Sequence, residues 1–177
     1  ARAAGWSDLE AGLVHGDWSP WNLVYAEAPP IRVVAAVDFD NAHLGPRVRD
    51  VAEMVLTFAA VDYAEDSTTF AASLPTSVRR GVERLLGCYD HAAPLTAVER
   101  RCLPTAAAAV AVEILGLGYV RGDFSAAVLA SATGWADRVV DRVASAVAAL
   151  APAPSRGARA SVVGCGGPVS PASFRSV

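Results

Sequence analysis

The sequence predicts a mainly helical α+β chain in which a short β-hairpin precedes a helical bundle. Three observations point there. Two short apolar runs, Leu23 to Ala26 and the β-branched Ile31 to Val37, flank the turn "EAPP", which is the signature of a hairpin. Four later stretches carry apolar residues at helical spacing. Beyond Ala151, Pro, Gly and Ser dominate and the periodicity is lost.

Taken in order, Leu13-Val14 lead into the polar cluster "HGDWSPWN" at residues 15–22. The hairpin follows, and its antiparallel strands bring Asn22 and Asp38 close together. Pro46 after Gly45 marks a helix start, with Val48, Val51, Val55 and Phe58 on one face. A second helix is expected from Ser77 to about Asp90. Thr96 and Glu99 form a capping-box pattern for a third. Pro104 should kink or restart that helix. Its continuation to about Tyr119 is apolar nearly all round, as in a central buried helix. A fourth runs from about Ser125 to Leu150 with Trp135, Val139, Val143 and Val147 inward. Arg79-Arg80 and Arg100-Arg101 read as solvated helix faces. Residues 1–150 therefore form one domain, and residues 151–177 a flexible tail.

Composition narrows the function. Apolar residues make up 53% and charged residues 19% of the 177, a balance suited to one soluble, globular core. A net charge of −3 favours neither nucleic acid nor an anionic membrane as partner. No uninterrupted apolar run reaches the roughly 20 residues of a membrane span, and the stretch around Thr105 to Leu117 is broken by Glu113. Cys88, Cys102 and Cys165 are too few and too dispersed for a disulfide framework or zinc cluster, so Cys88 and Cys102 read as buried free thiols in a reducing cytoplasm. All 15 basic residues are arginine, and lysine is absent.

The polar cluster suits phosphoryl transfer. That reaction needs an acceptor for the substrate hydroxyl proton and oxygen ligands for magnesium. Asp17 and Asn22 have the separation of base and metal ligand in the kinase pattern H-x-D-x-x-x-x-N, and Asp38 follows an apolar strand, as does the metal-binding Asp of D-F-G. His, Gly, Asp and Asn at this fixed spacing arise by chance roughly once per several hundred thousand positions. The motif is therefore specific.

"HGDWSPWNLV" followed by "VAAVDFDNAHLGPRVRDVAEMV" resembles the aminoglycoside phosphotransferase and choline kinase-like family, which has a protein-kinase-like fold. The resemblance is dense from Leu13 to Val55. It implies Asp17 as catalytic base, Asn22 and Asp38 as magnesium ligands, and Asp50, in the Gly45-to-Asp50 pattern, as a brace for the catalytic loop. It also implies ATP or GTP as phosphate donor and a small-molecule hydroxyl as acceptor. His15 reads as a hydrogen-bonding brace, and Asp40 as an auxiliary contact to metal or substrate. Trp18, Ser19 and Trp21 are candidate substrate contacts. Ser19 and Trp21 stand where relatives often carry a histidine and a small residue.

The family's N-terminal lobe supplies a strand lysine and a helix glutamate that hold the α- and β-phosphates. With no lysine present, the chain is expected to be the C-terminal lobe only, with its β-hairpin carrying the metal site. Two other functions compete. One is a non-catalytic remnant or binding module. The other is a hydrolase holding zinc or manganese on His15, Asp17, Asp38 and His43.

Overall fold

The structure, a computed structural model, describes residues 5–60, 76–122 and 125–152. A 3-10 turn at Trp6–Asp8 leads into strand β1 (Ala11–Val14), and a second 3-10 turn, Pro20–Asn22, leads into β2 (Leu23–Tyr25). Then come β3 (Val33–Ala36), β4 (His43–Pro46), helix α1 (Val48–Met54) and a π-helical turn, Val55–Ala60. Helices α2 (Thr76–Ala92), α3 (Ala97–Arg121) and α4 (Ala126–Ala149) complete the order. The tail beyond Ala151 and Cys165 lie outside the described residues, apart from Ala151 and Pro152 themselves.

The expected hairpin is present. β2 and β3 pair antiparallel with Leu23 opposite Ala36, and the Val37 amide donates to Asn22 O at 3.0 Å. Its far end turns at Pro29-Pro30. A second antiparallel pair, β1 with β4, sets Leu13 opposite Leu44. The sequence reading places Pro46 at a helix start. Instead it ends β4, and the helix begins two residues later. A four-residue strand written His-Leu-Gly-Pro has almost no β signal of its own; its partner β1 specifies it.

The core is built by helices. Val48, Val51, Val55 and Leu56 pack with Val82, Leu86, Leu103, Ala107, Val110, Trp135, Val139 and Val143. α3 lies between α1 and α4. It departs from its sequence-based expectation twice. Pro104 does not restart it, and one helix runs from Ala97 to Arg121. The lost hydrogen bond of an interior proline, about 3 kcal/mol, is outweighed by burial of Cys102, Leu103, Ala106 and Ala107 on either side. Nor is the helix buried all round: Val112 and Val120 are 69% and 82% exposed, because the described helices cover one face. At 25 residues α3 is long and apolar enough to cross a membrane, a test that the core helix of a soluble protein also meets.

Arg100 is another correction. It does not lie on a solvated face, because its guanidinium pairs with Asp90 at 2.9 and 3.0 Å. Cys102 is buried and Cys88 half-buried, and both are free thiols.

The start of α3 anchors the segment that leaves β4. Thr96 and Glu99 make the full capping box, and the same Glu99 carboxylate takes Arg47 Nε at 2.6 Å and Nη2 at 2.9 Å. Burial pushes the Glu99 carboxyl up, but the hydrogen bonds from Arg47 and Thr96 together hold it below its ordinary value. A depressed carboxylate stabilises the fold above its unfolded pKa, and this contribution is lost as pH falls through the folded value. Glu99→Ala removes the side-chain half of the capping box and the carboxylate partner of Arg47, while the Thr96 cap and the Arg47 bond to Pro94 O remain. It is expected to cost about 2–4 kcal/mol at neutral pH, less than a fully buried pair because Arg47 is partly exposed. Urea titration at pH 7 and pH 3 checks this, and the deficit should shrink at pH 3.

Candidate active site

The main chain of the cluster is held by one face of α1. Asp50 accepts from the His15 amide at 2.8 Å and the Gly16 amide at 3.1 Å, one bond to each carboxylate oxygen. Glu53 accepts from the Trp18 amide at 3.0 Å. Thr57 Oγ1 lies 2.7 Å from Trp18 O and 2.8 Å from Glu53 O. Gly16 is required at its place: its φ is +76°, and a Cβ there would meet Asn41 O at 2.6 Å.

His15 is 3% exposed, and its hydrogen bonds fix the tautomer. Nδ1 accepts from the Asp17 amide at 3.3 Å, so the proton sits on Nε2, which donates to Val37 O at 3.0 Å. The imidazole lies against Trp18 and Phe39, with centroids 4.6 and 4.5 Å away and ring planes tilted by 34° and 49°. Val37 is thus tied to the loop twice, through Asn22 O and through His15. The next residue is Asp38, whose φ of +64° makes it the non-glycine residue with left-handed backbone among those described. Asp tolerates this region better than most side chains, at a cost of order 1 kcal/mol.

The Asn22 amide orients itself by chemistry. Its Nδ2 donates to Asp17 O at 2.8 Å, which leaves Oδ1 as an available acceptor. Asp38 and Asp40 are exposed. Asn22 and Asp38 supply an amide oxygen and a carboxylate, the hard donors magnesium prefers, and magnesium commonly takes only one or two protein ligands beside water and phosphate oxygens. The residues present therefore fit that ion. They do not assemble the hydrolase set: no three His, Cys, Asp or Glu side chains among the described residues converge to hold a metal, and both His15 nitrogens are engaged.

Asp17 lines a cleft of about 310 Å³ with Asn41, Glu53, Glu113 and Arg121, against an apolar wall of Val110, Ile114 and Leu117. Asn41 Nδ2 is 3.5 Å from Asp17 Oδ2. Glu113 is gripped by both terminal nitrogens of Arg49, at 2.8 and 3.0 Å, and these bonds hold its carboxyl below the ordinary value. Trp18, Ser19 and Trp21 do not line the cleft. The Trp18 ring lies against His15, with its buried Nε1 lacking a hydrogen-bond partner among the described residues. Ser19 precedes the 3-10 turn Pro20–Asn22, and Trp21 is 76% exposed.

Residues 1–88 match the model of the phosphotransferase enzyme family, APH. This segment belongs to that family. No curated protein and no solved structure matches the chain significantly. The family segment spans the polar cluster of residues 15–22, both sheets, α1 and the first part of α2, whereas α3, which walls the cleft, lies beyond it.

Glu53, Thr57, Asn41 and the Arg49–Glu113 pair are absent from the sequence-based set of site residues. Glu53 and Thr57 carried a usable signal, since they share a helix face with Asp50 opposite the apolar Val48, Val51 and Val55. Burial raises the Glu53 carboxyl above its ordinary value, more than the Trp18 amide and Arg49 lower it. A raised carboxyl gives a penalty that is absent below the unfolded pKa, grows as pH climbs to the folded one, and is complete above it. Glu53→Gln, which keeps an acceptor for the Trp18 amide, is therefore expected to raise Tm at pH 8 relative to wild type and to lose that advantage at pH 4. Thermal melts across this range check the sign.

Proposed function

We propose that this chain carries the catalytic half of an ATP- or GTP-dependent phosphotransferase acting on a hydroxyl of a small molecule. The observation that carries the reading is the placing of Asp17. Asp17 lines a small-molecule-sized cleft while its main chain is tied, through Asn22 and His15, to the strand end bearing Asp38. The family match supports the reaction class.

In this reading Asp17 orients the acceptor hydroxyl and takes its proton, while Asn22 and Asp38 hold magnesium. Bound magnesium would neutralise charge on the nucleotide phosphates. Asp50 keeps the loop in register, His15 couples it to Asp38, and the apolar wall of α3 excludes water from one side of the acceptor. Most of the acceleration comes from positioning and charge complementarity.

We further propose that the phosphate clamp is contributed from outside these 177 residues. The absence of lysine supports this, as do the exposed apolar side chains on both small sheets, among them Leu13, Leu44, Val33 and Val34. That same absence favours the competing reading, a binding module without turnover.

Calorimetry with magnesium and ATP on the 177-residue chain, paired with a phosphoryl-transfer assay over a panel of amino alcohols and sugars, separates these. Weak or no binding by the chain alone, with transfer restored in a longer chain or with an added lobe, is the expected result. Full transfer by the chain alone would overturn the outside clamp. Binding without transfer under every condition would overturn the phosphotransferase.

A further inference from the structure

The loop bearing Asp17 is held on both flanks, and only one flank is explained by Asp50. We propose that Glu53 and Thr57 are positioning residues for phosphoryl transfer, because they hold both main-chain groups of Trp18 and so fix Asp17 from its C-terminal side. This rests on Asp17 being the base that meets the acceptor.

The geometry is specific. Glu53 Oε2 takes the Trp18 amide at 3.0 Å, and Thr57 Oγ1 is 2.7 Å from Trp18 O. With Asp50 on the His15 and Gly16 amides, three side chains of one helical stretch hold the main chain on either side of Asp17. Thr57 could satisfy its single proton on Glu53 O, at 2.8 Å, in the ordinary manner of a helical threonine. Trp18 O is nearer and lies 39 residues away in sequence. The helix widens into its π turn at Val55, between these two residues, and such turns occur often at functional sites.

A carboxylate is a costly way to anchor one amide. Glu53 is 8% exposed, and its burial beside Asp17 and Asp50 works against its charge. Its return is control of Trp18, whose ring packs on His15, whose Nε2 in turn donates to the peptide before Asp38. Loosening Trp18 therefore disturbs the base and the metal-bearing strand end together. Displacements near 1 Å can cost about 100-fold in rate.

The test compares Glu53→Leu, Glu53→Gln, Thr57→Val and Thr57→Ser in the complete 177-residue chain. Amide hydrogen exchange needs no turnover. The Trp18 amide should exchange at least about 10-fold faster in Glu53→Leu and within about 3-fold of wild type in Glu53→Gln, against unchanged amides in α3. Protection at Trp18 unaltered by Glu53→Leu would overturn the proposal. Should that variant fail to fold, Thr57→Val, equal in volume, carries the same comparison against Thr57→Ser through Trp18 and Asp17 exchange.

Under conditions that give wild-type transfer, Glu53→Leu should lose about 10- to 100-fold in kcat with KM for magnesium-ATP within about 2-fold, and Glu53→Gln should restore most of it. Equal losses in Gln and Leu, or a rise in acceptor KM alone, would overturn the positioning role. Absence of wild-type transfer under every condition would count against the phosphotransferase, while the exchange result would still decide whether Glu53 and Thr57 hold the loop.

Discussion

Asp17→Asn is expected to lower phosphoryl transfer by roughly 10²- to 10⁴-fold, the usual contribution of a positioned general base. Asparagine keeps the shape and one oxygen but cannot take the hydroxyl proton. The fold should hardly notice. The main chain of residue 17 is what the structure uses, with N donating to His15 Nδ1 and O accepting from Asn22. Among the described residues the carboxylate itself has only the long Asn41 contact at 3.5 Å. Under the conditions that give wild-type transfer, melting temperatures within about 1 °C of each other, unchanged affinity for magnesium-ATP and a collapse in kcat form the expected pattern. A variant keeping more than a tenth of wild-type turnover would remove Asp17 from the role of base.

The contrast with Asn22 follows from the same bonds. Asn22 is held by its Nδ2 and offers its Oδ1, so its side chain is structural at one atom and free to act at the other. Asp17 is structural only through its backbone. A substitution at Asn22 therefore mixes effects that a substitution at Asp17 separates.

What was legible in the sequence divides along a physical line. The hairpin, the four helices and the capping box at Thr96 and Glu99 are local patterns, and local patterns are written in consecutive residues. The roles proposed for Asp17, Asn22 and Asp38 rest on spacing along one loop and one hairpin, which is also a local pattern. β4 was not legible, since its sequence lacks strand propensity and only the partner strand specifies it. The pairs Arg47–Glu99, Arg49–Glu113 and Arg100–Asp90 join different helices or a helix and a loop. Nothing in the run of the chain selects one arginine–acid pair among 15 arginines and 18 acids. That α3 runs on past Pro104 without restarting was not legible for a related reason: a proline penalty is local, whereas the burial that exceeds it comes from α1 and α4.

Asp50 gives the second large effect, and it sets apart two carboxylates that look alike in sequence. Asp50 uses both oxygens, one for each of two backbone amides, whereas Glu53 uses one oxygen for one amide. An amide side chain can replace the second arrangement but not the first. In Asp50→Asn one oxygen remains, and the new NH₂ must face either the His15 or the Gly16 N–H, donor against donor. A part-buried amide left without an acceptor costs about 1–3 kcal/mol, and loss of the negative charge in the first turn of α1 adds a few tenths. For a chain of this size the Tm should fall by roughly 3–10 °C, with transfer reduced by at least about 10-fold because the Gly16-Asp17 main chain loses its anchor. Asp50→Ala should be no worse than about twice that in free energy, because water can reach the vacated site. Thermal melts of Asp50→Asn and Glu53→Gln side by side decide the matter: the first should destabilise at pH 7 and the second should not. Equal behaviour of the two would mean that the α1 face does not hold the loop through these bonds.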